Sequence, residues 1–250
     1  MKSARNKVLI IVRATSDSFC CAAHDTIRAN MKSENERKIL CVGVNYRPHI
    51  EEMGREIPEY PVVFVRFGSS LVGDGEPIIR PRVSEQFDFE GELAVIIGKS
   101  ARHVSREDAF DHIAGYCCFL DGSVRDWQRH TGQFTAGKNF EQSGAIGPMV
   151  SAADVGDPAV LELTTRVNGE VMQKGRVADL VFDIPTLLEY CSTFAELNPG
   201  DVIATGTPGG VGAARKPPVW LKDGDRVEVE ISGIGVLRNA VQDESGPDSP

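Results

Sequence analysis

Glu90 and Glu92 stand two residues apart at the head of an apolar run, Phe89-Glu90-Gly91-Glu92-Leu93-Ala94-Val95-Ile96-Ile97-Gly98. Side chains alternate across a strand, so both carboxylates share one face while Phe89, Gly91 and Leu93 take the other. A strand so rich in Leu, Val and Ile reads as buried, and two like charges held together out of water call for a cation between them. A third acid would complete such a site. Asp121 is the best placed, 29 positions beyond Glu92, where the run Tyr116-Cys117-Cys118-Phe119-Leu120 ends beside Gly122. Three carboxylates without cysteine or paired histidine at ligand spacing favour a hard ion, Mg²⁺ or Mn²⁺, over zinc, with water or substrate oxygens completing the shell. The duller reading of the pair is a solvated strand edge that happens to carry acids.

Several elements must bring these residues together. Ile39 to Val44 and Pro61 to Phe67 read as strands, and between them His49, Glu51, Glu52 and Met53 fit one helical turn that Gly54 stops. Gly73-Asp74-Gly75 is a tight turn. Ser105 with Asp108 predicts a helix N-terminus, ended by Gly115. Leu161 to Val171 predicts a hairpin about Asn168-Gly169, a dipeptide suited to two left-handed residues in a type I′ turn. Asp183-Ile184-Pro185 opens a helix that runs to Phe194, and strands return at Val202 to Thr205, Val227 to Ile231 and Val236-Leu237. Ahead of these, Val8 to Val12 predicts a strand and the Ser/Cys/Ala-rich sequence after it a helix. Many strands, few helices and no regular βαβ alternation make the chain α+β and mainly β, rich in antiparallel pairing. There is no internal repeat and no low-complexity tract.

The 250 residues suffice for one large core or two modest ones, and a composition of 41% hydrophobic and 25% charged residues is that of a folded protein. A formal charge of −9 argues against a nucleic-acid partner held by phosphate neutralisation. An anionic small molecule remains compatible with it, because a bound metal ion reverses the local sign. None of the six cysteines stands in a C-x-x-C spacing, which predicts reduced, structural thiols in a cytoplasmic protein. The apolar run Val8 to Val12 is too short for a signal peptide or a membrane span, so no membrane partner is expected.

Five further motifs accompany the acids in order. They are Gly43-Val44-Asn45-Tyr46-Arg47-Pro48-His49-Ile50-Glu51-Glu52-Met53, Asp121-Gly122-Ser123-Val124-Arg125-Asp126-Trp127-Gln128, Gly137-Lys138-Asn139-Phe140, Gly147-Pro148, and Gly200-Asp201-Val202-Ile203-Ala204-Thr205-Gly206-Thr207-Pro208. Together with Asp88 to Ala94 they resemble the fumarylacetoacetate hydrolase superfamily, in its acylpyruvase and 2-hydroxyhepta-2,4-diene-1,7-dioate isomerase branch. Each motif is weak alone, but the ordered set is specific.

The resemblance implies a mixed β-sandwich roll with a few short helices, usually a homodimer. The catalytic domain would span residues 38–243, behind a reduced N-terminal segment, 1–37, and ahead of a disordered tail, 244–250. It implies a metal held by Glu90, Glu92 and Asp121, with Mg²⁺ or Mn²⁺ expected and Ca²⁺ an occupant in crystals. It also implies a His49-Glu52 dyad that activates water, a Lys138 that stabilises developing negative charge, and Arg125, Gln128 and Thr205 lining a substrate pocket. Leu120 departs from the pattern, since many relatives carry Asn before the metal-binding Asp.

The implied substrate is a small 2,4-dioxo acid. Chelation through its carboxylate and 2-oxo oxygens would fix the scissile bond against a base, and histidine is the side chain that exchanges protons near neutral pH. Hydrolysis of the carbon-carbon bond is the first expectation. Isomerisation or decarboxylation of a related oxo-diacid of aromatic catabolism shares the same enolate, so the acids do not separate the three. A non-enzymatic small-molecule or metal-binding protein is the reading of a different class, and the intact acids, Lys138 and His49 argue against it. Trp127 reads as packing, and His24, His103, His112 and His130 take no role.

Overall fold

The computed structural model describes residues 37–246. The strand and helix predicted before residue 37, with Cys20, Cys21 and His24, lie outside the described residues, as does most of the tail. Among the described residues no helix is long and apolar enough to cross a membrane.

Two sheets face each other across the core. In chain order the first strands are β1 (Ile39–Gly43), β2 (Val62–Arg66), β3 (Leu71–Val72) and β4 (Ile78–Arg80), with helix α1 (Arg47–Glu52) between β1 and β2. Next come β5 (Phe87–Asp88), β6 (Gly91–Ile97), β7 (Ile113–Leu120) and β8 (Ser123–Val124), then the single-turn helices α2 (Arg125–Gln128) and α3 (Thr135–Lys138). Strands β9 (Gly144–Ile146) and β10 (Val150–Ser151), helix α4 (Ala152–Val155), and β11 (Glu162–Val167) and β12 (Glu170–Arg176) follow. Helix α5 (Ile184–Phe194), β13 (Val202–Ala204), β14 (Arg226–Ile231) and β15 (Gly235–Asp243) complete the order.

One sheet runs β2-β1-β13-β6-β7-β9-β3, with β10 also on β7; the other runs β12-β11-β14-β15-β4, and β5 pairs with β8. Because β1 lies parallel to β13 while β6 is antiparallel to both β13 and β7, the first sheet is mixed. Alternation along β6 sends Leu93, Val95 and Ile97 into the core, where β11, β14 and β15 supply Leu163, Val227, Val229, Ile231 and Leu237. Gly91 marks the closest approach of the sheets: a Cβ there would lie 2.0 Å from Thr165 Oγ1 and 3.3 Å from Val229 Cγ1. The residue between the two acids is therefore small because the opposite sheet leaves no room.

Local signals mostly hold. Asn168 and Gly169 take φ of 52° and 83°, as a type I′ hairpin requires. Asp183 caps α5 by accepting from the Thr186 N–H, with Pro185 in the first turn. The helix expected after Ser105 does not propagate. Ser105 Oγ does accept from the Asp108 N–H, but only a 3₁₀ turn, Ala109–His112, follows before β7 begins. Gly115 is not a helix stop but a strand residue under close packing, since a Cβ there would sit 2.1 Å from the Val150 carbonyl oxygen of β10. Cys41, Cys117, Cys118 and Cys191 are buried and free, so the described thiols are packing groups.

Candidate metal and oxo-acid site

Antiparallel pairing of β6 with β7 is what joins acids far apart in sequence. Gly91 pairs with Leu120, so Glu90 falls opposite Asp121, whose N–H donates to the Glu90 carbonyl at 2.8 Å. Carboxylate oxygens of Glu90, Glu92 and Asp121 all lie within 4.8 Å of one another, and all three residues are buried.

Lys138 arrives from α3. Its Nζ lies 2.5 Å from Glu90 Oε2 and 2.6 Å from Asp121 Oδ2. The preceding Gly137 is the reason it can reach: a Cβ there would lie 2.5 Å from the Gln128 backbone nitrogen, so α3 rests directly on α2. Arg125, the first residue of α2, donates from Nε to Asp88 Oδ2 at 2.7 Å and from Nη1 to Gln128 Oε1 at 3.0 Å, and its Nη2 lies 2.6 Å from Glu90 Oε1.

His49 sits in the last turn of α1, whose first turn carries Pro48. Its Nδ1 is 2.8 Å from Glu52 Oε1, and Glu52 Oε2 accepts from the Gly210 N–H at 2.7 Å. The dyad is thus fixed from both sides, which leaves the remaining ring nitrogen for the cavity that His49 lines.

That cavity has a volume of about 460 Å³, and His49, Glu90, Glu92, Arg125, Gln128 and Lys138 all line it. Glu52 stands behind His49 and Asp121 behind the other acids. Thr205, expected in the pocket, does not line it. Its hydroxyl and its N–H both donate to the Leu93 carbonyl, and its own carbonyl accepts from Asn45 Nδ2. Thr207, beyond Gly206, whose φ of 105° turns the backbone after β13, lines the cavity instead. Trp127 packs edge-on against Phe140, with centroids 5.3 Å apart, as a packing residue should.

Three site residues were missed in the sequence. Arg66 is fully buried and holds Asp121 Oδ1 at 2.5 Å while also donating to Ser70, Gly122 and Ser143. Asp88 accepts from Arg125 and from the N–H groups of Phe89, Gly212 and Ala213. Val44, in the cavity wall, has φ of 59°, a left-handed backbone that a β-branched residue rarely adopts. Only Asp88 left a trace in the sequence, as an acid two residues ahead of Glu90 on the same alternation.

Charge at the site is unevenly distributed. Four buried acids, Asp88, Glu90, Glu92 and Asp121, face three buried cations, Arg66, Arg125 and Lys138. Burial opposes ionisation of Glu90, but Arg125 and Lys138 overcome it and hold its pKa well below the ordinary carboxylate range. Burial also opposes charge on Lys138, and Asp121 and Glu90 overcome that in turn, raising its pKa. Glu92 makes no ion pair among the described residues. Burial, then Asp121 and Glu90 beside it, push its pKa well up, and the Lys138 charge and the Gly206 N–H at 2.9 Å offset only part of this. An acid surplus confined to oxygen donors fits a hard divalent cation, for which Glu90, Glu92 and Asp121 are the available ligands.

A family model described as the fumarylacetoacetate (FAA) hydrolase C-terminal matches residues 38–242. A human mitochondrial oxaloacetate tautomerase is 44% identical over 207 residues, covering 82% of this chain and 66% of that protein. The Bacillus subtilis oxaloacetate tautomerase is 43% identical over 209 residues, covering 82% and 69%. Among solved structures, a 2-hydroxyhepta-2,4-diene-1,7-dioate isomerase from Mycobacterium marinum matches with a TM-score of 0.74 and 39% identity, covering 85% of this chain and 77% of that one. Fumarylpyruvate hydrolase from Pseudomonas aeruginosa, in complex with Mn²⁺ and pyruvate, matches with a TM-score of 0.77 and 33% identity, covering 83% and 90%. With its mainly β architecture, its acid cluster and this span of similarity, the chain belongs to the fumarylacetoacetate hydrolase family.

Proposed function

We propose that this protein catalyses the enolisation of a small 2-oxo dicarboxylate, with keto-enol isomerisation as the net reaction. The observation that carries the reading is the arrangement of one cavity, where Lys138 bridges two of three clustered carboxylates and His49, held by Glu52, lines the same space. Similarity above 40% to oxaloacetate tautomerases supports isomerisation as the first choice.

A hard divalent ion held by Glu90, Glu92 and Asp121 would supply Lewis-acid polarisation of a 2-oxo carbonyl. The protein's own groups do the rest. His49, through the ring nitrogen not bonded to Glu52, removes the proton from the carbon next to the carbonyl. Glu52, anchored by Gly210, fixes the ring tautomer and stabilises the imidazolium that forms. The Lys138 ammonium, set in place by Glu90 and Asp121, stabilises the negative charge that develops on oxygen, without reorganisation at the moment of reaction. Arg125 and Gln128 orient the substrate carboxylate from the neighbouring wall. Delivery of a proton to the enolate oxygen completes the isomerisation to the enol, and the reverse sequence, with His49 returning the proton to carbon, gives the ketone.

Hydrolysis of an acylpyruvate is the second reading, and the anchoring of Glu52 favours it, because a doubly held dyad also suits a base that orients water. One experiment separates the two. Purified protein with Mn²⁺ or Mg²⁺, with and without EDTA, is given oxaloacetate, an acylpyruvate and a hydroxymuconate-type diacid in deuterium oxide and followed by proton NMR. Metal-dependent deuterium exchange next to the 2-oxo group without cleavage supports isomerisation. Pyruvate released from the acylpyruvate supports hydrolysis, and loss of carbon dioxide from oxaloacetate would make the enzyme a decarboxylase. No exchange on any 2-oxo acid removes the proposal.

A further inference from the structure

The cations at the inner end of the cavity are all paired with acids; those at its outer end are not. Arg125 and Lys138 contact acids, whereas Arg55 and Arg129 line the same cavity without an ion pair among the described residues. Arg55 follows the Gly54 turn that ends α1, where Gly54 takes φ of 61°. Arg129 follows α2, and among the described residues its guanidinium donates only to the neutral Gln86 Oε1, from Nη1 at 3.2 Å. In a chain of net charge −9, two uncommitted guanidinium groups at one cavity mouth are a local reversal of sign.

An aromatic wall connects the two ends. Lys138 Nζ lies 5.1 Å from the centroid of Phe64, Phe64 meets Phe134 edge-on with centroids 5.6 Å apart, and the Arg55 guanidinium carbon lies 5.7 Å from the centroid of Phe134. Stacking on Phe134 restrains Arg55 before any ligand arrives, which reduces the entropy lost on binding. A ligand running along this wall meets a cation at each end and apolar ring faces between. A four-carbon diacid engaged by the acid cluster would leave the outer half of a 460 Å³ cavity to water.

We propose that Arg55, seconded by Arg129, determines specificity by holding the distal carboxylate of a 2-oxo dicarboxylate longer than four carbons, whose linker lies against Phe64 and Phe134. The guanidinium fork suits a carboxylate, and both arginines keep enough solvent contact that neither is committed to the fold. This rests on the enolisation reading of the inner site and extends it to the length and charge of the substrate.

The test compares wild type, Arg55→Met, Arg55→Lys and Arg129→Met, each loaded with Mn²⁺, on 2-oxohexanedioate and on its distal methyl ester. Both compounds share the reacting end, and deuterium exchange next to the 2-oxo group reports enolisation of each. A charge-assisted hydrogen bond at the rim predicts a preference of wild type for the diacid of roughly tenfold to a hundredfold, expressed in KM. Arg55→Met keeps an apolar stem against Phe134 and should erase that preference, Arg55→Lys should restore part of it, and Arg129→Met should lower it less. Equal effects of Arg55→Met on diacid and ester, or no effect on either, overturn the assignment. Should wild type exchange neither compound, the enolisation reading fails, and the rim is judged on calorimetric binding of the same pair. A diacid preference lost in Arg55→Met then upholds the role of Arg55, and equal binding refutes it.

Discussion

Glu90 and Glu92 are the same residue type on the same face of one strand, yet the protein treats them oppositely. Glu90 is held ionised by Arg125 and Lys138, so the stability it contributes is complete above the ordinary glutamate value of 4.5 and is lost as pH falls below it. Glu92 keeps its proton in the metal-free fold, while the unfolded chain releases it above 4.5, so metal-free protein loses stability as pH rises from there toward the raised folded value. Calorimetry in EDTA across this range should show both slopes, with Glu92→Gln removing the upper one. A Glu92→Gln curve parallel to wild type above pH 4.5 would contradict this account of the site. Lys138→Met should cost the metal-free fold about 3–5 kcal/mol by leaving two buried acids without their cation, and should abolish deuterium exchange even where metal binding survives. The alternation of Glu90 and Glu92 was legible because it depends only on strand period. Arg66 was not, because its partners Asp121, Gly122 and Ser143 lie more than fifty positions away, and its burial is decided by β2 packing beside β1.

At the scale of elements, the site depends on two contacts that a larger residue would close. Gly91 lets the second sheet approach β6 behind the acids, and Gly137 lets α3 rest on α2 and lower Lys138 onto Glu90. Gly137→Ala places a methyl group 2.5 Å from Gln128 backbone, which cannot yield as a flexible side chain could. The expected cost is about 1–3 kcal/mol of overpacking strain, with a larger proportional loss of activity, because Lys138 is displaced while the sheets stay in place. Thermal melting and exchange kinetics on the same preparation check this, and activity falling only in step with the folded fraction would count against it. The hairpin at Asn168-Gly169 and the cap at Asp183 were readable because their determinants lie within four residues. Ser105 carried an equally local signal, and its cap contact formed. The helix did not follow, because the chain from Ile113 on is claimed by pairing with β6 and β10. Thr205 and Thr207 illustrate the same limit: both follow β13, and which of them faces the cavity depended on Asn45 and Leu93 engaging the first and on the backbone turn at Gly206, where φ is 105°.

Across the whole molecule, four neighbouring strands, β1, β13, β6 and β7, present the ends that carry the site at one edge of a single sheet. The parallel pairing of β1 with β13 and the antiparallel pairing of β6 with β13 and β7 place the segments after Gly43, Ala204 and Leu120 beside the start of β6 at Gly91. Residues separated by most of the chain therefore meet without any long loop reaching inward, which is why the order of motifs could suggest the site but their spacing could not build it. An ion held by Glu90, Glu92 and Asp121 ties β6 to β7 directly, and it reaches β13 through the bond from the Gly206 N–H to Glu92. Metal binding should then stabilise the fold as a unit, by about 2.7 kcal/mol at a hundredfold excess over Kd. Hydrogen exchange with and without Mn²⁺ should show slowing along β6, β7 and β13 together, and the effect should vanish in Asp121→Asn. Protection confined to α3 and the segment around Lys138 would mean that the ion, if bound, engages the lysine loop rather than the sheet edge, and the acid cluster would lose its claim to be the metal site.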